Sequence, residues 1–185
     1  MRFYLSFLAS ALGVWFWSKV DQKIGSRQAF ICSTVVWIVI FIPLAFITNY
    51  WIALLDFALL GLGFGGAPYF IDRNITNVID ADQLKTTQRR EASYYGVHAL
   101  VIRLSTILAI LSVSFVLSTN GWQVYNPTVT TPDLLLGLRL LVSLVPAVGL
   151  LVALIFLFLF PLNKRKVEEI LEQKFQLYSN SDSPK

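Results

Sequence analysis

Long apolar runs separated by short polar breaks dominate the chain. They fall at about residues 3–19, 29–48, 50–71, 94–118 and 134–161. A membrane-spanning helix needs ~17 to 25 apolar residues, so the last four runs predict spanning helices and the first a short one. Met1-Arg2 ahead of Ala9-Ser10-Ala11 has the outline of a signal peptide, yet the apolar run continues through Val14, Trp15, Phe16 and Trp17, beyond where a cleaved leader would end. We therefore expect a spanning helix there too. The tail, 163–185, opens on Asn163, a helix N-cap, and places Val167, Ile170, Leu171 and Phe175 on one stripe, which predicts a short helix on the cytoplasmic face. Its end, Ser-Asn-Ser-Asp-Ser-Pro-Lys, predicts disorder. The expected fold is all-α: a polytopic transmembrane bundle over 1–162, then the cytoplasmic tail.

Basic residues occupy alternate breaks. Lys19, Lys23 and Arg27 follow the first run, Arg73, Lys85, Arg89 and Arg90 the third, and Lys164, Arg165 and Lys166 the fifth. Thr48-Asn49 and the stretch from Ser118 to Asp133 hold no Lys or Arg. By the positive-inside rule the N-terminus is outside and the C-terminus cytoplasmic, which puts Trp51, Trp122 and Tyr125 at the outer boundary, where aromatic belts form. The stretch from Asp72 to Glu91 reads as a cytoplasmic loop in which Asp80, Asp82 and Glu91 alternate with Lys85, Arg89 and Arg90. Such a loop is a latch if its pairs form a network and a solvated segment if they do not.

Polar residues inside the apolar runs narrow the search for function. The second and fifth runs are apolar almost all round and predict lipid-facing helices, with Arg139 near the outer end of the fifth as a snorkelling anchor. The third holds Gly61, Gly63, Gly65, Gly66 and Pro68. Gly61 and Gly65 have the spacing for close helix contact, and the cluster suits a hinge or a packing surface equally. The third run also carries Asp56, and the fourth carries Arg103, which shares a face with Gly96, Ala99, Thr106 and Ser114 at ~100° per residue. A charge deep in a spanning helix costs at least ~2.5 kcal/mol, so it marks either a functional site or an internal ion pair. Arg103 falls ~13 Å from the inner boundary, near the midplane, and Asp56 is offset from it by ~8 Å along the bundle axis, within reach only of an extended arginine. His98 points ~140° away from Arg103 and suits a packed, hydrogen-bonded role or a proton relay. Arg103, His98 and Asp56 are thus the candidate substrate-binding residues, the glycine cluster with Pro68 the candidate hinge, and Asp80, Arg89, Arg90 and Glu91 the candidate cytoplasmic latch.

Composition excludes other classes. Hydrophobic residues make up 56% and charged ones 14%, against about 25% charged in a soluble domain. The single cysteine, Cys32, allows no intrachain disulfide and no cysteine cluster for a metal. A net charge of +4 is spread over membrane-flanking breaks, with no motif for reading nucleic acid. One His, one Cys and no paired carboxylates at catalytic spacing make no enzyme active site, and no cofactor or metal is expected.

From Asn77 to Glu91 the chain reads NVIDADQLKTTQRRE and then enters an apolar helix. This resembles the loop of the glycoside-pentoside-hexuronide:cation symporters, the melibiose permease-like family of the major facilitator superfamily, which reads roughly A-D-V-x-D-x-x-x-x-x-T-G-x-R-x-E. Asp80, Thr86, Arg89 and Glu91 match, Asn77 replaces an acidic residue, and Thr87 replaces the glycine. Trp17 to Arg27 is similar to the family's cytoplasmic W-x-K-x-x-x-x-x-G-x-R turn, with Gln22 where the superfamily usually has Asp and Asp21 one place early. The stretch LRLLVSLVPAVGLLVALIFLFLFPLNKRKVEEI is similar to its last helix and tail.

The resemblance implies a twelve-helix fold in two halves, of which this chain would supply the second to sixth helices of the C-terminal half. It implies a partner N-terminal half, from the same gene or a separate chain. It places Arg103 where the permease has a cavity lysine and His98 where it has a glutamine. A planar guanidinium suits a carboxylate or phosphate as well as a sugar hydroxyl. The expected function is the C-terminal portion of a cation-coupled symporter for a sugar, glycoside or related small solute, driven by Na+ or H+, in a membrane that is expected to be the plasma membrane. The alternative is a non-transporting subunit that docks on another half-transporter as scaffold or regulator.

Overall fold

The computed structural model describes residues 3–119 and 132–181, the side chains of 3–9, 62, 116, 119, 133, 134, 178, 180 and 181 excepted. Among them are six helices: α1 (Phe3–Ile24), α2 (Ser26–Leu44), α3 (Tyr50–Thr86), α4 (Glu91–Thr119), α5 (Pro132–Leu159) and α6 (Lys164–Ser181). Ser26–Leu44, Tyr50–Thr86, Glu91–Phe115 and Leu135–Leu159 are long and apolar enough to cross a membrane. Trp122 and Tyr125, assigned to an outer belt, and residues 182–185 of the end expected to be disordered lie outside the described residues, whereas 179–181 of that end are helical, as the last residues of α6.

The breaks are shorter than the sequence suggested. α1 continues through Lys19, Asp21 and Gln22 to Ile24, and the chain reverses into α2 over Gly25 alone, at φ 89 and ψ 153. Few residues other than glycine adopt that backbone. Asn49 caps α3, accepting the Trp51 amide at 2.9 Å, and Asn163 caps α6 as expected, accepting the Lys166 amide at 3.0 Å. The larger correction concerns Asp72 to Glu91. Instead of a loop, the helix runs on to Thr86, and only residues 87–90 connect α3 to α4. No Gly or Pro interrupts the chain between Pro68 and Gly96. Asn77, Ile79 and Asp80 are also buried, so this stretch has an inward face of its own.

At 37 residues, α3 is ~55 Å long against a hydrocarbon core of ~30 Å, and its last turns must project beyond the bilayer. It is the central element: α1 and α2 both lie along it, α5 covers α2, and α6 lies against the projecting end of α3. α4 is more lightly held, against α5 and α3. The described apolar core sits at the end of the bundle that carries most of the basic residues, here the basic end. There Phe70 stacks on Phe30 at 5.4 Å and meets the edge of Trp17 at 6.1 Å, over the fully buried Ala29. The large apolar side chains of α4 and α5 are mostly exposed, as surfaces that face lipid or further helices must be.

Candidate functional site

Three polar clusters join the helices at the basic end. In the first, Asp21, only 8% exposed near the end of α1, accepts a hydrogen bond from the Tyr69 hydroxyl at 2.8 Å and pairs with Arg73 at 3.6 Å. Asp21 makes these contacts from one residue before Gln22, the position at which the superfamily usually has Asp. In the second, the Ser26 hydroxyl of α2 lies 3.1 Å from Asn74 and 3.3 Å from the Asn77 amide, both on α3. In the third, Asp80 is buried and meets the Lys174 ammonium of α6 at 2.6 Å and Arg89 at 3.6 Å, while Arg89 donates to Glu91 at 2.7 Å. Arg90 grips Asp82 through both its Nε and a terminal nitrogen, at 3.0 and 2.8 Å. That hydrogen bonding, and then the charge of Asp82, holds the Arg90 guanidinium above its ordinary value.

Cations also cap helix ends here. Arg27 donates to the carbonyls of Leu157 and Phe158 at the end of α5, at 3.2 and 2.6 Å. Lys164 reaches the carbonyls of Gln22 and Lys23 at the end of α1, at 3.4 and 3.0 Å. These carbonyls have no partner within their own helix, and their dipoles favour positive charge. Between the clusters lies a cavity of about 430 Å³ lined by Asp21, Ser26, Tyr69, Arg73, Asn77 and Lys164 among others.

Of the candidate latch residues, Asp80, Arg89 and Glu91 are brought into one cluster and Arg90 into a pair with Asp82, on a helix end and a tight turn rather than on a loop. The sequence did not bring out Lys174, which pairs with Asp80, or the separate cluster of Asp21, Tyr69 and Arg73. The signal was present: Arg73, Asn77 and Asp80 recur at the i, i+4, i+7 spacing of one helix face.

The glycine cluster lies inside an unbroken α3. A methyl group added at Gly65 would strike the Ser10 carbonyl and the Val14 amide of α1, and one at Gly63 would come within 2.7 Å of Trp37 of α2. One at Gly66 would lie 3.0 Å from Trp17. Small residues here let α1 and α2 approach the α3 backbone. Pro68 causes no break.

The candidate binding residues separate. Asp56 is 6% exposed, inside the bundle, and its Oδ2 has no hydrogen-bond partner among the described residues. Arg103 is exposed on α4, and His98 is half-buried on the same helix. Among the described residues, Arg103 and Asp56 form no ion pair. A largely apolar groove of about 380 Å³ opens between Ser10, Trp37, Phe41, Gly61, Phe64 and Val142, and Asp56 is not part of its lining. No group of three His, Cys, Asp or Glu stands close enough to hold a metal ion among the described residues.

Comparison with protein families finds the description MFS/sugar transport protein matching residues 1–164. The chain belongs to that family. This transporter is therefore an all-α, multi-pass integral membrane protein of the major facilitator superfamily, a carrier of small solutes rather than an enzyme. No curated protein matches it.

Proposed function

We propose that this transporter is the C-terminal portion of a cation-coupled symporter for a sugar, glycoside or related small solute, working by alternating access together with a second helical half. The observation that carries this reading is Arg103. It stands exposed on α4, in a stretch exposed from Ala99 to Leu111. Lipid is a poor neighbour for a guanidinium at that depth, where it costs at least ~2.5 kcal/mol. A water-filled solute path between two halves removes that cost and gives the five donors a substrate to hold. His98, a turn and a half earlier on α4, would contribute from the path's edge. Asp56 lies inside the helix interface and is better placed for another task than direct substrate contact.

On this reading the basic end is cytoplasmic, because the positive-inside rule puts its arginines and lysines there. Asp80, Arg89, Arg90 and Glu91 then form a latch that holds α3, α4 and α6 together on the cytoplasmic side. The test is uptake of a labelled disaccharide, a pentose and a hexuronate by cells expressing the full protein, comparing wild type with Arg103→Lys and Arg103→Gln at matched membrane abundance. We expect wild-type uptake of at least one solute, partial uptake with Lys and none with Gln. Equal uptake by wild type and Arg103→Gln would remove Arg103 from the binding site, and no uptake of any solute by wild type would refute the symporter reading.

A further inference from the structure

Residues seven apart on a helix lie on nearly the same face, and on α3 the series Asp56, Gly63, Phe70 and Asn77 makes such a row. Its later members all point into the interface with α1 and α2: Gly63 against Trp37, Phe70 into the core with Trp17 and Phe30, and Asn77 toward Ser26. Asp56 continues the row toward the end of the bundle away from α6, and it is buried to match. Asn77, the polar member of the row at the basic end, has a partner in Ser26. Asp56 has none among the described residues.

The groups that could face it are few. Ile38 to Leu44 of α2 are all apolar, and α1 from Phe3 to Ser18 holds Tyr4 as its one titratable residue. α4 has no titratable residue between Leu104 and Thr119, and α5 brings Asp133 and the half-buried Arg139. Among the described residues neither Arg139 nor Arg103 pairs with Asp56. On α3 itself the nearest titratable residue is Tyr50, and α6 lies at the other end. An ionised carboxylate without a counter-ion is far costlier to bury than a neutral acid, which is only a polar group.

We propose that Asp56 is a proton-binding site and that the coupling ion of this transporter is a proton taken up and released at its carboxyl group; this deepens the symporter reading above and rests on it. In the conformation seen here the carboxyl is the neutral acid. When the α1–α3 interface opens to water, the O–H bond breaks, the proton passes to water and the carboxylate remains, to be reprotonated by water from the other compartment. A sodium site would have a different form, because hard cations gather about six oxygen ligands. On α2 from Ile38 to Leu44 and on α3 from Ile52 to Leu60 every residue but Asp56 is apolar.

The first measurement uses the wild type alone. Adding the transported solute to a lightly buffered suspension of de-energised cells should make the medium more alkaline as protons enter with it. The second compares Asp56→Asn, at matched abundance, under an imposed gradient of one pH unit, where one proton per solute supports about tenfold accumulation, since one unit is ~1.36 kcal/mol. Wild type should accumulate and the variant should fall to about onefold, yet still exchange labelled for unlabelled solute. A third readout is the infrared acid-minus-alkaline difference spectrum of purified protein in lipid, where the protonated-carboxyl band of wild type should be missing in Asp56→Asn. Accumulation driven by sodium and not by protons, full proton-driven accumulation by Asp56→Asn, or an unchanged infrared band would each overturn the proposal and leave the symporter reading standing. If wild type moves no solute at all, the symporter reading fails, and the infrared band alone decides whether Asp56 binds a proton.

Discussion

Thr87 closes α3 at φ 58, in the left-handed region, with its amide bonded to the Gln83 carbonyl at 2.8 Å. The related symporter pattern has a glycine at this position, and a side chain there costs ~1 to 2 kcal/mol. Glycine would relieve that strain but add unfolded-state freedom worth ~0.5 to 1 kcal/mol. Thr87→Gly should therefore stabilise by less than ~1 kcal/mol, seen as a small rise in melting temperature in detergent. Gly25 is the opposite case. Its φ of 89 with ψ 153 is strained for any other residue, and a methyl group would meet the Lys164 side chain at 2.7 Å. Gly25→Ala should cost ~2 kcal/mol or more and lower membrane abundance. The same melt measures it, and an unchanged midpoint would mean that the α1–α2 turn relaxes freely.

Between helices, the glycines of α3 differ sharply from those elsewhere. Gly65 abuts the α1 backbone, which cannot swing aside as a side chain can, whereas a methyl group at Gly96 or Gly149 would meet nothing within 4 Å. Gly65→Ala should cost ~1 to 3 kcal/mol by forcing α1 away from α3. Gly149→Ala should be neutral or gain up to ~1 kcal/mol, because alanine is the better helix former. Thermal unfolding of the two variants side by side checks the difference. The hinge reading of this segment has its own test. Pro68→Ala restores a helical amide, so a hinge role predicts slowed uptake at unchanged stability, and a packing role predicts unchanged uptake.

Across the whole molecule, α6 is tied to the bundle at two places, Lys164 on the end of α1 and Lys174 on Asp80 of α3. Asp80 is buried while Lys174 keeps some contact with water, so breaking this pair should cost ~1 kcal/mol or somewhat more rather than the larger penalty of a fully buried one. Asp80→Asn should accordingly speed amide exchange throughout α6 without unfolding α3, and exchange confined to its last turn would show that Lys164 holds the helix alone. Arg89→Glu should go further, since it sets a carboxylate between Asp80 and Glu91, and it should slow uptake if the cluster acts as a latch. The Arg90–Asp82 pair is more exposed, and its loss should matter less.

Apolar run length and alternating basic breaks specified the helices, their order and the end at which charge collects, because these depend on local composition and on the bilayer as solvent. The cap at Asn163 was legible for the same local reason. The true extent of α3 was not. Asp72 to Thr86 is polar enough to read as a loop, and it stays helical because α2 and α6 supply partners for Asn74, Asn77 and Asp80 from 48 to 94 residues away in the chain. Asp21 meets Tyr69 and Arg73 because α1 stays helical to Ile24 and so presents it to them. The close approach of α1 and α2 to the glycine cluster was likewise not legible, since small residues at that spacing suit hinge and packing alike. Asp56 and Arg103 were both conspicuous as charges in apolar runs. Which of them is enclosed and which is left open is a property of the assembled bundle, because helix rotation is set by neighbouring surfaces and not by the helix itself.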